Sequence, residues 1–129
     1  MNIEHIESEI DSLNQESLNV LNDRQRDINR QIFILNFFSN LIKKAETLMT
    51  ELESEGCMLQ FTMNLDVDSV MARTAYMIII RAVCYEYGIH VTDSKDGYSF
   101  TVPASLILNN VELDTKMIEE RVARQVRFR

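Results

Sequence analysis

Glycine and proline are scarce in this chain, and they are unevenly distributed. The 129 residues include three glycines and one proline, and neither type occurs before Gly56. Both residues interrupt regular elements, because glycine leaves the backbone unrestricted and proline lacks an amide donor. Their absence from the first 55 residues excludes a loop-rich segment there and favours long helices.

Cysteine is also rare, and its two positions exclude several kinds of site. Cys57 and Cys84 stand inside apolar runs, without the spacing of a disulfide framework. Together with His5 and His90 they lack the paired short spacings that bring ligands around a zinc ion. No secretory signal or membrane-length run is present, since the most apolar stretch, Thr74–Ile80, has seven residues. We expect a protein of a reducing, cytoplasmic compartment without membrane contact.

An excess of positive charge is missing as well. The net charge is −7. Eleven acidic and five basic side chains give −6 in residues 1–55, and nine acidic and eight basic side chains give −1 in residues 56–129. Such an acidic chain has no broad electrostatic attraction to nucleic acid or to anionic lipid. We therefore do not expect direct contact with nucleic acid.

The first 55 residues do contain an apolar stripe at helical spacing. It begins between Ile3 and Leu13, weakens, and returns from Ile28 onward in steps of three and four residues, as in a coiled-coil seam. A stripe of this length needs more cover than a small domain offers, so we expect a homo-oligomer, with a dimer favoured. The predicted interface residues are Ile28, Ile32, Leu35, Phe38, Ile42, Met49 and Leu52.

Two arrangements of this helical segment are open. A single helix over Ile3–Glu55 would be about 80 Å long. A turn near Asn14–Ser17 or Asn22–Asp23 would instead let two helices pair as a hairpin. We favour a shorter helix followed by a long helix from about Asp23 to Glu55, with Gly56 in the position of a C-cap.

The hydrophobic period changes at Cys57. Cys57–Leu65 alternates apolar and polar side chains, which predicts a half-buried strand. Val70–Tyr87 is apolar nearly all round, so we expect a helix at the centre of the core. Ile89–Asp93 and Tyr98–Val102 are β-rich runs around an Asp-Gly pair, which predicts a hairpin. The remaining predicted elements are a helical turn over Ala104–Leu108 and a final helix over Thr115–Phe128.

These elements predict an α+β fold. A long N-terminal amphipathic helix or helical hairpin, coiled-coil-like in its spacing, precedes a compact β-α-β-β-α domain. We divide the chain at Gly56. Residues 1–55 are the helical arm for oligomerisation and partner binding, and residues 56–129 are the small α+β domain.

No constellation in the sequence predicts catalysis or cofactor binding. A Cys84–His90 nucleophile pair would need a cleft, and the apolar neighbours of Cys84 indicate core filling instead. Asp66 and Asp68 resemble the start of a calcium loop, but the glycine and glutamate that such a loop requires are missing. We therefore expect no catalytic residues, no metal ligands and no cofactor, and hence no enzyme.

Arginines are concentrated at the C-terminus, with no acidic residue after Glu120. One interpretation is a cationic last turn that matches the helix dipole. The other is a docking site for phosphate or for an acidic protein surface. The candidate docking residues are Arg121, Arg124, Arg127 and Arg129.

The absence of a reactive constellation and the long stripe together predict a non-enzymatic interaction protein. It would oligomerise through its N-terminal helices and dock on a larger cytosolic protein complex. Small size and few loops also fit a virus-encoded factor, such as a phage modulator of the host transcription apparatus. Two alternatives are a nucleic-acid-associated regulator that uses the C-terminal arginines, and a small-molecule enzyme or sensor with a pocket beside the tyrosine-rich helix.

Overall fold

The computed structural model describes residues 1–17, 23–52 and 58–126. Within these ranges the protein combines helices with one antiparallel sheet, which confirms the mixed α+β class. The helices are α1 (Ile3–Ser17), α2 (Asp23–Leu52), α3 (Val70–Glu86), α4 (Ala104–Leu108) and α5 (Thr115–Val126). The strands are β1 (Met58–Met63), β2 (His90–Ser94) and β3 (Gly97–Pro103).

The N-terminal segment forms a shorter helix followed by a longer one, which was the favoured arrangement. The side-chain oxygen of Asn2 accepts a hydrogen bond from the His5 amide at 3.2 Å, which satisfies a free donor at the start of α1. Ile6 and Leu13 are buried, and α1 packs along α2. The predicted end at Glu55 and the predicted cap at Gly56 lie outside the described residues.

Helix α2 is the central element of the core. It has 30 residues and contacts α1, α5, β1 and α4. Because neighbours surround it on several sides, its buried residues extend well beyond one heptad seam. They include Ile28, Ile34, Leu35, Phe37, Phe38, Leu41, Ile42 and Ala45.

This packing changes the interpretation of the predicted seam. Four of its residues are buried inside the chain itself and offer no surface to a second copy in this structure: Ile28, Leu35, Phe38 and Ile42. Ile32 and Met49 are partly buried against the same core, and the side chain of Leu52 is not described. A coiled-coil-like N-terminal helix is therefore not confirmed. The stripe is covered because other parts of the same chain, namely α1, β1, α4 and α5, pack against α2.

The sheet forms the layer against which α2 packs. Its strand order is β1-β3-β2, with both pairs antiparallel. Leu59, Phe61, Phe100 and Val102 are buried on its inner side, and the ring of Phe37 from α2 lies 5.5 Å from that of Phe100. The alternation predicted for β1 is confirmed in the described residues, while Cys57 lies outside them.

The predicted hairpin joins β2 and β3. Ser94 pairs with Gly97, so Lys95 and Asp96 form the turn. Gly97 has a φ of +136°, and a Cβ placed there would lie 2.7 Å from the Met63 carbonyl oxygen. Only glycine fits without moving the neighbouring strand, which is why the Asp-Gly pair marks this position.

Helix α3 differs from its prediction. Its Ser69 hydroxyl accepts a hydrogen bond from the Ala72 amide at 3.3 Å, and Gly88 follows the helix with a φ of +71°. Both ends therefore carry residue types that are favoured at helix caps. However, α3 lies on the outside and buries only one side, so the expectation of a central helix is wrong. The buried residues are Met77, Ile79, Ile80, Val83 and Cys84.

Helix α5 connects the two helical layers. Ile118 and Val122 are buried, and the helix contacts both α2 and α3. The side chain of Val126 is not described, and neither is the predicted continuation to Phe128. One hydrophobic cluster joins residues on both sides of Gly56. Whether residues 1–55 and 56–129 fold as separate domains stays a prediction.

Candidate protein-binding surface

The residues considered for nucleophilic chemistry occupy different environments. Cys84 is buried, and desolvation raises the pKa of its thiol to about 12, against a small opposing effect of the Arg81 charge. A thiol with so high a pKa stays protonated near neutral pH and is a poor nucleophile. His90, its proposed partner, is exposed on β2 at the edge of the sheet.

The residues considered as metal ligands do not form a cluster in the described part of the chain. Asp66 and Asp68 are exposed ahead of α3, where Ser69 is the residue that caps the helix. In the described ranges no group of three or more His, Cys, Asp or Glu residues could hold a metal ion.

The structure describes only half of the predicted arginine cluster. Arg124 is exposed near the end of α5, as a docking residue requires. Arg121 is partly buried, and its Nε atom has no hydrogen-bond partner among the described residues. Arg127 and Arg129 lie outside these residues. The docking role of the cluster stays a prediction.

The most exposed apolar side chains lie on one helix. In the described part of the chain, six large apolar residues are strongly exposed, and four of them belong to α3. Met71 is 84% exposed, Ile78 is 59% exposed and Tyr85 is 82% exposed, while Val70 stands at the start of the helix with 71%. Isolated exposed apolar residues are ordinary, but a concentration on one element indicates an interaction surface.

These residues form a continuous line along the outside of α3. Met71, Ile78 and Tyr85 are seven residues apart, and Ala75 and Ala82 stand between them. The steps of four and three residues place all five side chains on one side of the helix. We call this line, Met71, Ala75, Ile78, Ala82 and Tyr85, the α3 ridge. The two alanines are partly exposed and small, so another helix can approach the ridge closely.

Contacts on its inner side hold α3 in place. The ring of Tyr76 stacks on Phe33 of α2 with centroids 4.3 Å apart. The side-chain amide of Gln125 in α5 donates a hydrogen bond to the Ala75 carbonyl at 2.7 Å. These contacts fix the orientation of the ridge, so the surface is preformed.

A groove of about 770 Å³ adjoins the ridge on the side of α2 and α5. Its walls are mostly apolar side chains of the first two turns of α3, and its polar lining includes Arg30 and Gln125. The groove is open to solvent and shares Met71, Ala75 and Ile78 with the ridge. We therefore treat groove and ridge as one surface with a cationic border at Arg30.

The opposite border of the ridge is set by Arg81. Its guanidinium lies 2.8 Å from Asp93 and donates a hydrogen bond to the Val91 carbonyl at 3.3 Å. It also lies over the ring of Tyr98 at 5.9 Å. Because Arg81 is held on β2 in this way, its charge points away from the ridge and leaves the line of apolar side chains uninterrupted.

No protein family, curated protein or solved structure matches this chain. Among the helices that the structure describes, none combines the length and apolar character needed to cross a membrane.

The sequence contained a pattern that indicates the ridge, but the apolar residues of the ridge were not distinguished from the core residues of the same helix. Val70–Tyr87 was interpreted as core because it is apolar nearly all round. Within it, the inward residues Ile79, Ile80 and Val83 are large, whereas two positions of the outer line are alanines. The heptad steps of that line were the available indication of a second, outward-facing stripe.

Proposed function

We propose that this protein is a non-enzymatic interaction factor that presents the α3 ridge to a helix of another polypeptide. The observation that carries the proposal is the alignment of three strongly exposed apolar side chains, Met71, Ile78 and Tyr85, on one helix. Docking on a larger protein complex, expected from the sequence, stays a prediction without an assigned surface. The proposed surface for contact with another polypeptide is the exposed ridge of α3 and not the buried seam of α2.

Burial of the ridge side chains in an interface supplies the free energy of the proposed contact. Transferring one large apolar side chain from water to a packed interface contributes about 1.5–3 kcal/mol. Three such residues in a line give a gross contribution of about 5–9 kcal/mol before the costs of association. A rigid surface keeps the ordering cost of such a contact low, so more of this gross contribution is left for binding. The stacked pair Phe33–Tyr76 and the hydrogen bond from Gln125 support that rigidity.

Site-specific photocrosslinking tests the proposal. A photoreactive benzoylphenylalanine in place of Ile78 should give a covalent protein adduct in the cells that make the protein. The same group in place of Leu108 is the matched control, since Leu108 is 53% exposed but lies on α4, away from the ridge. We expect no adduct from the Leu108 position.

Competition makes the experiment specific to the ridge. Excess wild-type protein should suppress the adduct, whereas excess Ile78→Asp protein should not, because a carboxylate in the apolar line opposes docking. Absence of any adduct from Met71, Ile78 and Tyr85 would contradict the proposed function.

A further inference from the structure

The large side chains of the α3 ridge are placed symmetrically about its middle residue. Met71 and Tyr85 stand seven residues before and after Ile78, and Ala75 and Ala82 flank Ile78 at three and four residues. We infer that the occupant of the ridge is the same ridge of a second copy, packed antiparallel about Ile78. This inference rests on the proposed function and adds the identity of the partner.

An antiparallel pair of ridges matches large side chains with suitable neighbours. With the two Ile78 side chains at the centre, Met71 of each copy lies opposite Tyr85 of the other. Thioether sulfur and aromatic rings attract each other, so this pairing is favourable at both ends. The small side chains of Ala75 and Ala82 leave space for Ile78 of the second copy.

Charge at the border of the groove fits the same register. Arg30 lines the groove beside the first turns of α3, and Glu86 is exposed at the other end of the helix. The two-fold axis of this pair is perpendicular to the plane that contains the two helices. It therefore leaves the α2-facing sides of both copies on the same side of the pair. Glu86 of one copy then points toward Arg30 of the other. The antiparallel helix dipoles add a further favourable term.

The ridge supplies three large, strongly exposed apolar side chains per copy, Met71, Ile78 and Tyr85. The walls of the adjoining groove extend this surface toward α2 and α5. A self-complementary patch of this kind closes on itself in a two-fold dimer and does not propagate into a longer chain of molecules.

Sedimentation velocity on the full chain tests the stoichiometry. We expect wild-type protein at about 100 μM to sediment as a dimer and Ile78→Asp protein to sediment as a monomer with an unchanged circular dichroism spectrum. The matched control is Leu108→Asp, which places the same charge on another exposed apolar site and should leave the dimer intact. Monomeric wild-type protein, or a dimer that tolerates Ile78→Asp, would overturn the inference.

Charge exchange tests the antiparallel register. Arg30→Glu and Glu86→Arg should each weaken dimerisation about tenfold, because each creates two like-charge pairs per dimer. The double variant restores two opposite-charge pairs and should return the dissociation constant to within about threefold of wild type. If the double variant dimerises no better than the single variants, the register is wrong.

The crosslinking experiment separates this inference from the proposed function. An adduct at Ile78 with twice the mass of the chain supports pairing between copies. An adduct that contains a different protein supports the proposed function and overturns the identity of the partner inferred here. If neither adduct forms, both fail.

Discussion

At the scale of single residues, Tyr87 joins two helices through its hydroxyl group. It lies just after the end of α3, donates a hydrogen bond to the Glu112 carbonyl at 3.2 Å and accepts one from the Asp114 amide at 2.7 Å. Asp114 in turn caps α5, since its carboxylate accepts a hydrogen bond from the Met117 amide at 3.2 Å. One hydroxyl therefore fixes the position of the start of α5 relative to the end of α3.

We predict that Tyr87→Phe lowers the free energy of unfolding by about 1–2 kcal/mol, because a donor and an acceptor on the backbone lose their partner. Urea denaturation followed by circular dichroism measures the change. Tyr85→Phe is the matched control, since Tyr85 is 82% exposed and its variant should unfold like the wild type. Equal losses in both variants would contradict a specific role of the Tyr87 hydroxyl.

The buried thiol of Cys84 should make the free energy of unfolding depend on pH in the alkaline range. Its pKa is raised from 9.0 to about 12 by burial, so the folded protein keeps the thiol neutral while the unfolded chain ionises above pH 9. Stability is therefore unaffected by this group below pH 9 and falls as the pH rises from 9 toward 12.

The variant Cys84→Ala should remove this part of the slope. Tyr76 and Tyr87 also have raised pKa values, mainly through desolvation, and they contribute in the same direction in both proteins. The difference between the two slopes, measured by urea denaturation at several pH values, isolates Cys84. Identical slopes in wild type and variant would show that the thiol ionises as readily in the folded state as in the unfolded state.

At the scale of elements, each outer strand of the sheet has a cationic side chain from a helix bound to its unpaired backbone edge. Lys44 donates a hydrogen bond to the Thr62 carbonyl of β1 at 2.7 Å, and Arg81 donates one to the Val91 carbonyl of β2 at 3.3 Å. Lys44 also lies over the ring of Phe61 at 5.8 Å. Occupied edge carbonyls and nearby charge oppose pairing with a strand of another molecule.

Removing these cations should expose the sheet edges. We predict that Lys44→Met and Arg81→Met each accelerate aggregation on mild heating, measured by light scattering and thioflavin fluorescence. Lys95→Met is the matched control, because it removes the same charge from the exposed β2–β3 turn and leaves both edges covered. If all three variants aggregate alike, the loss of charge rather than the edge is responsible.

The elements differ in how far the sequence predicted them. Strand β1 and the hairpin were predicted because alternation and the Asp-Gly pair are local signals with one structural solution. The helical turn after Pro103 was predicted for the same reason, and the structure has α4 at Ala104–Leu108. The exposed side of α3 was missed because the apolar character of a segment does not say which of its sides the rest of the chain covers.

The same limit applies to the seam of α2. Its period was recognised, but Leu35 and Ile42 are buried within the chain. Helix α2 packs against its sequence neighbour α1 and also against β1, α4 and α5 from later in the chain. A heptad pattern indicates a helix whose apolar stripe must be buried. It does not say whether the residues that bury the stripe belong to the same chain or to another one. Of the candidate sites, the oligomer role of the α2 stripe stays a prediction, and the stripe on α3 went unassigned.

At the scale of the whole molecule, one core spans both halves of the chain. Phe38 and Ile42 of α2 belong to the same buried cluster as Leu59 and Phe100 of the sheet. The sheet has three strands and buries its inner side against α2, so without that helix it would expose a large apolar surface to water. The two halves therefore depend on one another for burial.

A fragment of residues 56–129 tests this dependence. We predict that it lacks cooperative thermal unfolding, since it loses the side of the core that α2 supplies and keeps 74 residues, a size at which a domain is already marginal. Circular dichroism melting curves and amide dispersion in NMR spectra measure the outcome. Adding a separate peptide of residues 1–55 is the control, and it should restore a cooperative transition near that of the intact chain. A fragment that folds alone would instead support two independent domains. The α2 surface buried in the intact chain would then be able to open toward a partner without unfolding the rest.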